Sequence, residues 1–535
     1  MLTSTPSRRS ALRPAGAALA ITLVAGLLVA LTATPGAAAR QPTLSISPST
    51  GAAGSVMRLT GRVPTRAGAR PVVLQRKAGA RWTRVARGRT AARGTFRFTT
   101  TRRSTATTYR VVAPRVRARG LRKVVTPTRR TTVVRPVPPT LLVSTRPDGT
   151  RSGGQVSYAV LSRDGRRTAF VTNAQDLVPG ADTNVEPDVY WKDRATGATR
   201  LISVGTNERA VGLTGGNPSS FRVDLSDDGR YVVFSTSTGG LVGSPTAANR
   251  EHVYLRDAQA GTTTLVSPAG PSYLEGGFNA TISGDGRYVF YSATPTNPGG
   301  AMVLVRYDRT TGDRVVLTPF GADAPHQQLA ASRTGRFVAI SSRGPSADGE
   351  PFLQVWLYDA TEDITVLASA GADGPSETDC QDLSISDEGR FLAFECNGIE
   401  DSPSSGLLRG VTGPLTLRWD RDTDTLDLVS RSADGRRSLL GRTPRISGNG
   451  RYVAWLSVQP QALGGRGAGE QALVWDAATG RNSLASTAPD GQRSPGRFFG
   501  ATISGDSATV GFWGSNAARQ PGGPAVPNQL YVRAR

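Results

Sequence analysis

From residue 141 to its end the chain alternates apolar and polar positions in short runs, the period-two pattern of half-buried strands. The runs recur in units of about 50 to 60 residues. Each unit contains one phrase: a serine, one free residue, an Asp-Gly-Arg-type turn, then an apolar run such as Tyr231-Val232-Val233-Phe234 or Phe391-Leu392-Ala393-Phe394. The copies begin at Ser162, Ser226, Ser283, Ser332, Ser386, Ser447 and, in the worn form Ser504-Gly505-Asp506-Ser507, at Ser504. A second phrase interleaves with the first, an aspartate with an aromatic or apolar residue within the two positions before it and Gly or Asp four residues on, as in Asp193/Gly197, Asp257/Gly261, Asp308/Gly312, Asp359/Asp363, Asp420/Asp424 and Asp476/Gly480. Each then runs into another strand, such as Arg200-Leu201-Ile202-Ser203. Every unit therefore holds four strands, with tight turns between the first and second and between the third and fourth. Strand-rich units of this period bury their faces only against one another, which predicts a propeller.

The last unit ends on a third strand, Gln529-Leu530-Tyr531-Val532-Arg533. Its fourth is found at the other end of the array, as Leu141-Leu142-Val143-Ser144. Joining the two leaves no open sheet edge. The expected fold class is all-β: a seven-bladed β-propeller over residues 141–535, closed by strands from both ends and preceded by a small sandwich.

That sandwich is read from residues 40–126, where runs such as Ser55-Val56-Met57-Arg58-Leu59, Pro71-Val72-Val73-Leu74-Gln75 and Gly94-Thr95-Phe96-Arg97-Phe98 alternate between Gly, Pro and Ala-Arg turns. Residues 127–140, rich in Arg, Thr and Pro, read as a semi-rigid linker. The stretch Leu44-Ser45-Ile46-Ser47-Pro48-Ser49-Thr50-Gly51, with Gly54-Ser55 and Val73-Leu74-Gln75-Arg76 leading to Trp82, resembles bacterial immunoglobulin-like modules of exported proteins. Likewise the Ser-x-Asp-Gly-Arg phrase with its aromatic-apolar strand resembles the WD40-like repeats of TolB-type propellers. The TolB architecture has six blades behind an α/β domain, so its partners are not implied for a chain with seven units and a β-sandwich.

Charge changes the picture more than composition does. Of the net +23, residues 40–139 carry +24, with no Asp or Glu at all, and residues 1–39 carry +3, which leaves −4 for residues 140–535. Such segregation points to an anionic partner for the basic module, a cell-wall polymer or a membrane surface rather than nucleic acid, since the chain reads as exported. The competing reading is coding bias toward arginine on a solvated sandwich. Export is expected from residues 1–39, a signal peptide with Arg8, Arg9 and Arg13, an apolar run from Ala15 to Ala33 and the small-residue site Ala37-Ala38-Ala39. Secretory and twin-arginine routes are both compatible with it, and so is an uncleaved anchor. The expected location is secreted or attached to the cell envelope.

There are two cysteines, Cys380 and Cys396. If the turn at Asp387-Glu388-Gly389 pairs Ser386 with Arg390, the two cysteines fall opposite one another, within reach of a disulfide in an oxidising compartment. Two buried free thiols are the alternative.

Candidate chemistry lies on the innermost strand of each unit, which lines the central channel. Aligned on the repeat serine, the residues four before it are Tyr158, Arg222, Asn279, Gln328, Asp382, Thr443 and Gly500, and two before it stand Asp224 and Arg445 among Val160, Thr281, Ala330, Ser384 and Thr502. Strict alternation places both sets on the channel side. We take Tyr158, Arg222, Asp224, Asn279, Gln328, Asp382 and Arg445 as the candidate ligand-binding residues; the bland reading is a hydrated channel whose charges pair among themselves. Asp182-x-Asn184-x-Glu186-x-Asp188 has the alternate oxygens of a calcium loop, but Pro187 stands where that loop needs glycine, so a capped turn competes with a metal site. Of the two histidines, His252 starts a third strand and His326 opens an inner one. No catalytic motif or cofactor fingerprint is present. The long, dissimilar connections opposite the tight turns, such as 173–187, 235–251, 397–414 and 514–528, are where recognition of a protein or glycan would lie. The expected function is thus a non-enzymatic, exported binding scaffold. The alternative is a secreted polysaccharide hydrolase or lyase working at the channel mouth.

Overall fold

A computed structural model describes residues 41–47, 50–51, 56–65, 68–101, 103, 106–133, 140–205, 208–213, 222–243, 250–268, 274–295, 302–317, 326–343, 352–370, 375–376, 378–398, 413–432, 438–459, 470–487, 494, 496–515 and 528–535. The expected signal peptide and most of the long connections fall outside these residues. Two compact units are present, Met1–Pro136 and Val137–Arg535.

In the first unit, strands Thr43–Ser47, Val56–Arg62 and Thr95–Thr101 form a three-stranded antiparallel sheet. Pro71–Ala78, Arg81–Arg89, Thr108–Ala113, Val124–Val125 and Arg129–Arg130 form a second, with Arg81–Arg89 at its edge. The apolar positions of both sheets meet in one core, with Leu44, Leu59, Leu74, Phe96, Tyr109 and Val111 all buried. Arg70 is buried as well, and its guanidinium donates to the carbonyls of Pro64, Pro114 and Arg122 at 2.7–2.9 Å, so the charge is solvated by backbone.

Among its described residues the second unit is all strand and turn. Its described residues form seven four-stranded antiparallel sheets, whose first strands are Val156–Leu161, Val223–Leu225, Leu274–Ile282, His326–Ala331, Cys380–Ile385, Gly441–Ile446 and Arg497–Ile503. We number the sheets 1 to 7 in that order. Sheet 7 takes its fourth strand from the other end of the array: Leu141 pairs with Val532 and Leu142 with Tyr531. Ser144 completes the match. In sheets 1, 2, 4, 5 and 6 a serine after the fourth strand accepts a hydrogen bond from a third-strand N–H, Ser203 from Val189 at 2.9 Å for example, and in sheet 7 Ser144 accepts from Leu530 at 3.1 Å.

The recurring phrase is explained by its hydrogen bonds. In sheet 2 the Ser226 hydroxyl donates to Asp228 at 2.6 Å and accepts from the Tyr231 N–H at 3.0 Å, while Asp228 accepts the Arg230 N–H at 2.9 Å. Gly229 takes the left-handed φ of 67° that closes the turn. Arg230 then spans to the second phrase, pairing with Asp257 at 2.6 Å while lying 4.9 Å over the Tyr231 ring. Asp257 caps its own turn through the N–H groups of Gln259 and Ala260. The same Arg-to-Asp link joins the two phrases in sheets 1 and 3 to 6.

Apolar burial and hydrogen bonds close the array into a ring. Buried clusters bridge each pair of neighbouring sheets, and the one joining sheets 7 and 1 packs Val143, Trp513, Leu530 and Val532 against Val156, Phe170 and Tyr190. Around the axis the free residues of the repeat phrase, or in sheets 3 and 7 also the aspartate that follows, are tied by backbone bonds of 2.7–2.9 Å: Arg163 to Asp227, Asp227 to Gly284, Asp285 to Arg333, Arg333 to Asp387, Asp387 to Gly448, Gly448 to Gly505, and Asp506 back to Arg163. The fold is propeller-like.

The disulfide Cys380–Cys396 is present, with 4.1 Å between the Cα atoms. The register that leads to it differs from the expected one. Ser386 bonds to Phe391 rather than pairing with Arg390, so the ladder starts one residue further on and sets Ser384 opposite Ala393. An extra residue at Asp382-Leu383 then bulges out, Asp382 taking a φ of 52°, and the shift returns Cys380 to Cys396.

Candidate functional site

The inner strands run from the long-connection end of the ring to the tight-turn end, so their positions stack as layers along the axis. Strict alternation between the positions four and two before the serine does not hold throughout. Register shifts fall between them in sheets 3, 5 and 6, where Asn279, Asp382 and Thr443 adopt φ of 54°, 52° and 49°. Asn and Asp tolerate that conformation because their short polar side chains bond locally.

Between the layers lies a cavity of about 190 Å³. Of the seven candidate residues, Tyr158, Arg222, Asp224 and Arg445 line it, whereas Asn279, Gln328 and Asp382 do not. Asp382 is bound by Arg222 at 2.7 Å, with the Gln328 amide 3.5 Å away. Arg445 donates to the Tyr158 hydroxyl at 2.9 Å and to its neighbouring carbonyl, that of Pro444, at 2.7 Å. The guanidiniums of Arg222 and Arg445 sit 5.9 and 5.7 Å from the Tyr158 ring centre. Asp224 accepts from the Thr281 hydroxyl at 2.6 Å and from the N–H groups of Ile282 and Leu225.

A second polar layer closes the turn end of the cavity, and it lies on the free position of the repeat phrase, which the alignment on inner-strand positions passes over. Arg163 pairs with Asp387 and lies 3.7 Å from Asp227, which Arg333 approaches at 3.1 Å. Room for these side chains comes from the three glycines at the same position. A Cβ on Gly284 would lie 2.8 Å from an Asp227 carboxylate oxygen, and one on Gly448 2.3 Å from Asp387. The signal was present in the sequence: the free residues read Arg163, Asp227, Gly284, Arg333, Asp387, Gly448 and Gly505, charged or glycine throughout.

Electrostatically the axis is balanced, with Arg163, Arg222, Arg333 and Arg445 against Asp224, Asp227, Asp382 and Asp387. Burial is the largest influence on Asp382 and pushes its carboxyl up, but the Arg222 and Arg445 guanidiniums and the Arg222 hydrogen bond outweigh it and hold the group below the usual carboxylate range. Burial raises Asp224 despite its three donors. Next to this network, on the second strand of sheet 5, burial and the nearby Asp382 charge push Glu395 up to about 7; it accepts the Thr443 N–H at 3.2 Å.

The loop with calcium-like spacing folds as a capped turn. Asp182 accepts from the Tyr190 hydroxyl at 2.7 Å and from the Asn184 N–H, Asn184 donates to Asp188 at 3.0 Å, and Ser203 also donates to Asp188. Among the described residues no three His, Cys, Asp or Glu side chains converge as metal ligands would. His252 is buried with Nδ1 2.9 Å from the Ser267 carbonyl. The side chain of His326 falls outside the described residues.

No family model matches the chain, and no curated protein matches it significantly. Among solved structures it is similar to TolB from Acinetobacter baumannii, at 10% identity over 70% of this chain and 75% of that one, with a TM-score of 0.35. It is also similar to oligogalacturonate lyase from Vibrio parahaemolyticus, at 12% identity over 72% and 92% with a TM-score of 0.43, and to an auxiliary nutrient binding protein from Bacteroides thetaiotaomicron, at 11% identity over 92% and 98% with a TM-score of 0.35. At such identities and TM-scores the likeness carries no function from those proteins to this chain.

Proposed function

We propose that the chain is an exported, non-enzymatic binding scaffold. In this reading residues 1–39 direct export, an immunoglobulin-like sandwich within residues 40–126 docks on an anionic envelope surface, and a seven-bladed propeller over residues 141–535 presents its long-connection face to a protein or glycan. The observation that carries it is the complete separation of charge: 24 cations and no carboxylate in residues 40–139, ahead of a propeller of net −4. The disulfide supports an oxidising compartment. The channel favours a scaffold over a ligand site, because its charges are ion-paired or hydrogen-bonded within the protein and its cavity of about 190 Å³ is smaller than the roughly 300 Å³ at which small-molecule sites usually begin. Co-sedimentation of the full chain with purified cell wall tests the reading. Retention that falls steeply from 0.05 to about 0.5 M salt is expected; a chain that stays in the supernatant at low salt overturns it.

One observation favours the second reading, a polysaccharide hydrolase or lyase at the channel mouth. Asp382 held low and Glu395 pushed up to about 7 are two carboxyls with opposed proton affinities, a condition for general acid and base work, and both lie beside the cavity rather than in its lining. Depolymerisation of an acidic or neutral glycan that is lost in Glu395→Gln would establish it.

A further inference from the structure

Charge on the first unit is unevenly placed. Directly paired residues of neighbouring strands project to the same side of a sheet. In the five-stranded sheet Leu74 and Ala86 face the core. The opposite side therefore carries the rows Pro71–Arg89, Val73–Arg87–Val112, Gln75–Arg84–Arg110 and Trp82–Lys77, the last continued by the Thr108–Arg130 pair. Arg84, Arg87, Arg89, Lys77 and Arg130 are all exposed there. Arg110 is fixed between its neighbours, 4.1 Å over the Trp82 ring and 2.9 Å from the Gln75 amide oxygen. No carboxylate exists in residues 40–139 to neutralise any of them. The outward side of the other sheet carries three cations among its described residues, Arg58, Arg62 and Arg97, set among Ser, Thr and the exposed Val56.

We infer that this outward face of the five-stranded sheet is the docking site for a linear polyanion whose carboxylate or phosphate groups recur every ~6–7 Å. The inference rests on the docking reading above and names the surface and the partner's chemistry. Arg84, Arg87 and Arg89 run in single file along the edge strand: Arg87 and Arg89 are alternate residues, and the bulge between Leu74 and Gln75 absorbs the extra residue between Arg84 and Arg87, so that the three stand opposite Gln75, Val73 and Pro71, alternate positions ~6.8 Å apart, with neighbouring strands ~4.8 Å apart. These spacings are below the Debye length of ~8 Å at physiological salt, so the cations act on one chain together. A polymer lying along the file meets a cation at each repeat, and the guanidiniums bind either anion in bidentate fashion. A lipid surface fits less well. Membrane docking adds apolar insertion to charge, and the one large hydrophobic exposed on this face is Val125 at 40%.

The test uses the full chain and two charge-matched triple variants, Arg84→Gln/Arg87→Gln/Arg89→Gln on the face and Arg58→Gln/Arg62→Gln/Arg97→Gln on the other sheet. Affinity is measured against immobilised polygalacturonate, poly(glycerol phosphate) and anionic phospholipid vesicles across a salt series, with circular dichroism confirming the fold of each variant. Each cation removed takes about 0.7 from the slope of log affinity on log salt, so the face triple should bind polymer about 50-fold more weakly at 0.15 M. The control triple should change affinity less than about threefold, and the tighter polymer assigns the anion as carboxylate or phosphate. Equal losses in both triples, or vesicle binding as tight as polymer binding, would overturn the inference. Failure of the unmodified chain to bind any of the three is the distinct result that overturns the docking reading itself.

Discussion

Deleting residues 140–146 removes the strand that closes the ring, and its cost follows from the burial and hydrogen bonds that the strand supplies. Val143 is 2% exposed, so its burial is worth about 2 kcal/mol. Its N–H bond to the Leu530 carbonyl at 2.8 Å goes, as does the Ser144 hydroxyl that links the Leu530 N–H to the Gln529 side chain. Gln529 and Leu530 are fully buried in the intact ring, and orphaned groups there cost about 1–3 kcal/mol each unless water reaches them. The sum is about 5 kcal/mol. With an unfolding entropy of roughly 2.1 cal/mol/K per residue, each kcal/mol lowers the melting point of a unit this size by about 1 °C, so the deletion should melt about 5 °C lower. Tryptophan fluorescence follows the right unit, because all tryptophans except Trp82 lie after residue 140. Leu141, which is 51% exposed, provides the control: Leu141→Ala should shift the transition by less than about 1 °C. A deletion variant melting within about 1–2 °C of the parent would refute the closure.

Thiol titration of the denatured, unreduced protein should find no free thiol, and Cys380→Ser with Cys396→Ser should cost about 3 kcal/mol in chemical denaturation, as expected for a closed loop of 16 residues. Gly389→Ala should destabilise by more than about 2 kcal/mol, because φ there is 67° and the new Cβ would lie 2.4 Å from a Phe337 ring carbon; an unchanged denaturation midpoint would contradict the turn geometry. Glu395 has a folded pKa raised to about 7 against an ordinary glutamate value of 4.5, so the folded state holds the extra proton between these values and stability should fall as pH rises from 4.5 to 7. Glu395→Gln should flatten that slope and be the more stable protein at pH 8 by about 1–3 kcal/mol; a parallel pH profile in the variant would show that the group is not buried as described.

Fold class was legible because the repeat phrase is a set of local bonds: the Ser226–Asp228 pair and Gly229 are needed wherever the turn occurs, whatever the surrounding sequence. The Leu141-to-Ser144 match was legible for the same reason, since Ser144 performs the task of Ser203 and Ser267. Contacts between phrases were not. The Arg230–Asp257 link joins residues 27 apart whose meeting depends on the third strand lying beside the first turn. The cysteine pairing followed from a turn register one residue short, offset by a bulge at Asp382 that no alternation pattern reveals. Arg163, Asp227, Arg333 and Asp387 escaped because a turn position facing the axis looks, in sequence, like any solvent-facing turn residue; the glycines opposite them carried the information.

The central claim, that the basic unit holds an exported propeller on an anionic envelope, is tested most directly by fractionating cells that express the tagged full chain or a chain lacking residues 41–133. The account predicts that the full chain is found with the cell wall and released by about 0.5 M salt, while the truncated chain, still carrying residues 1–39, is found free in the medium. Full chain retained in the cytosol, or truncated chain bound to the wall as strongly as the full one, would contradict it.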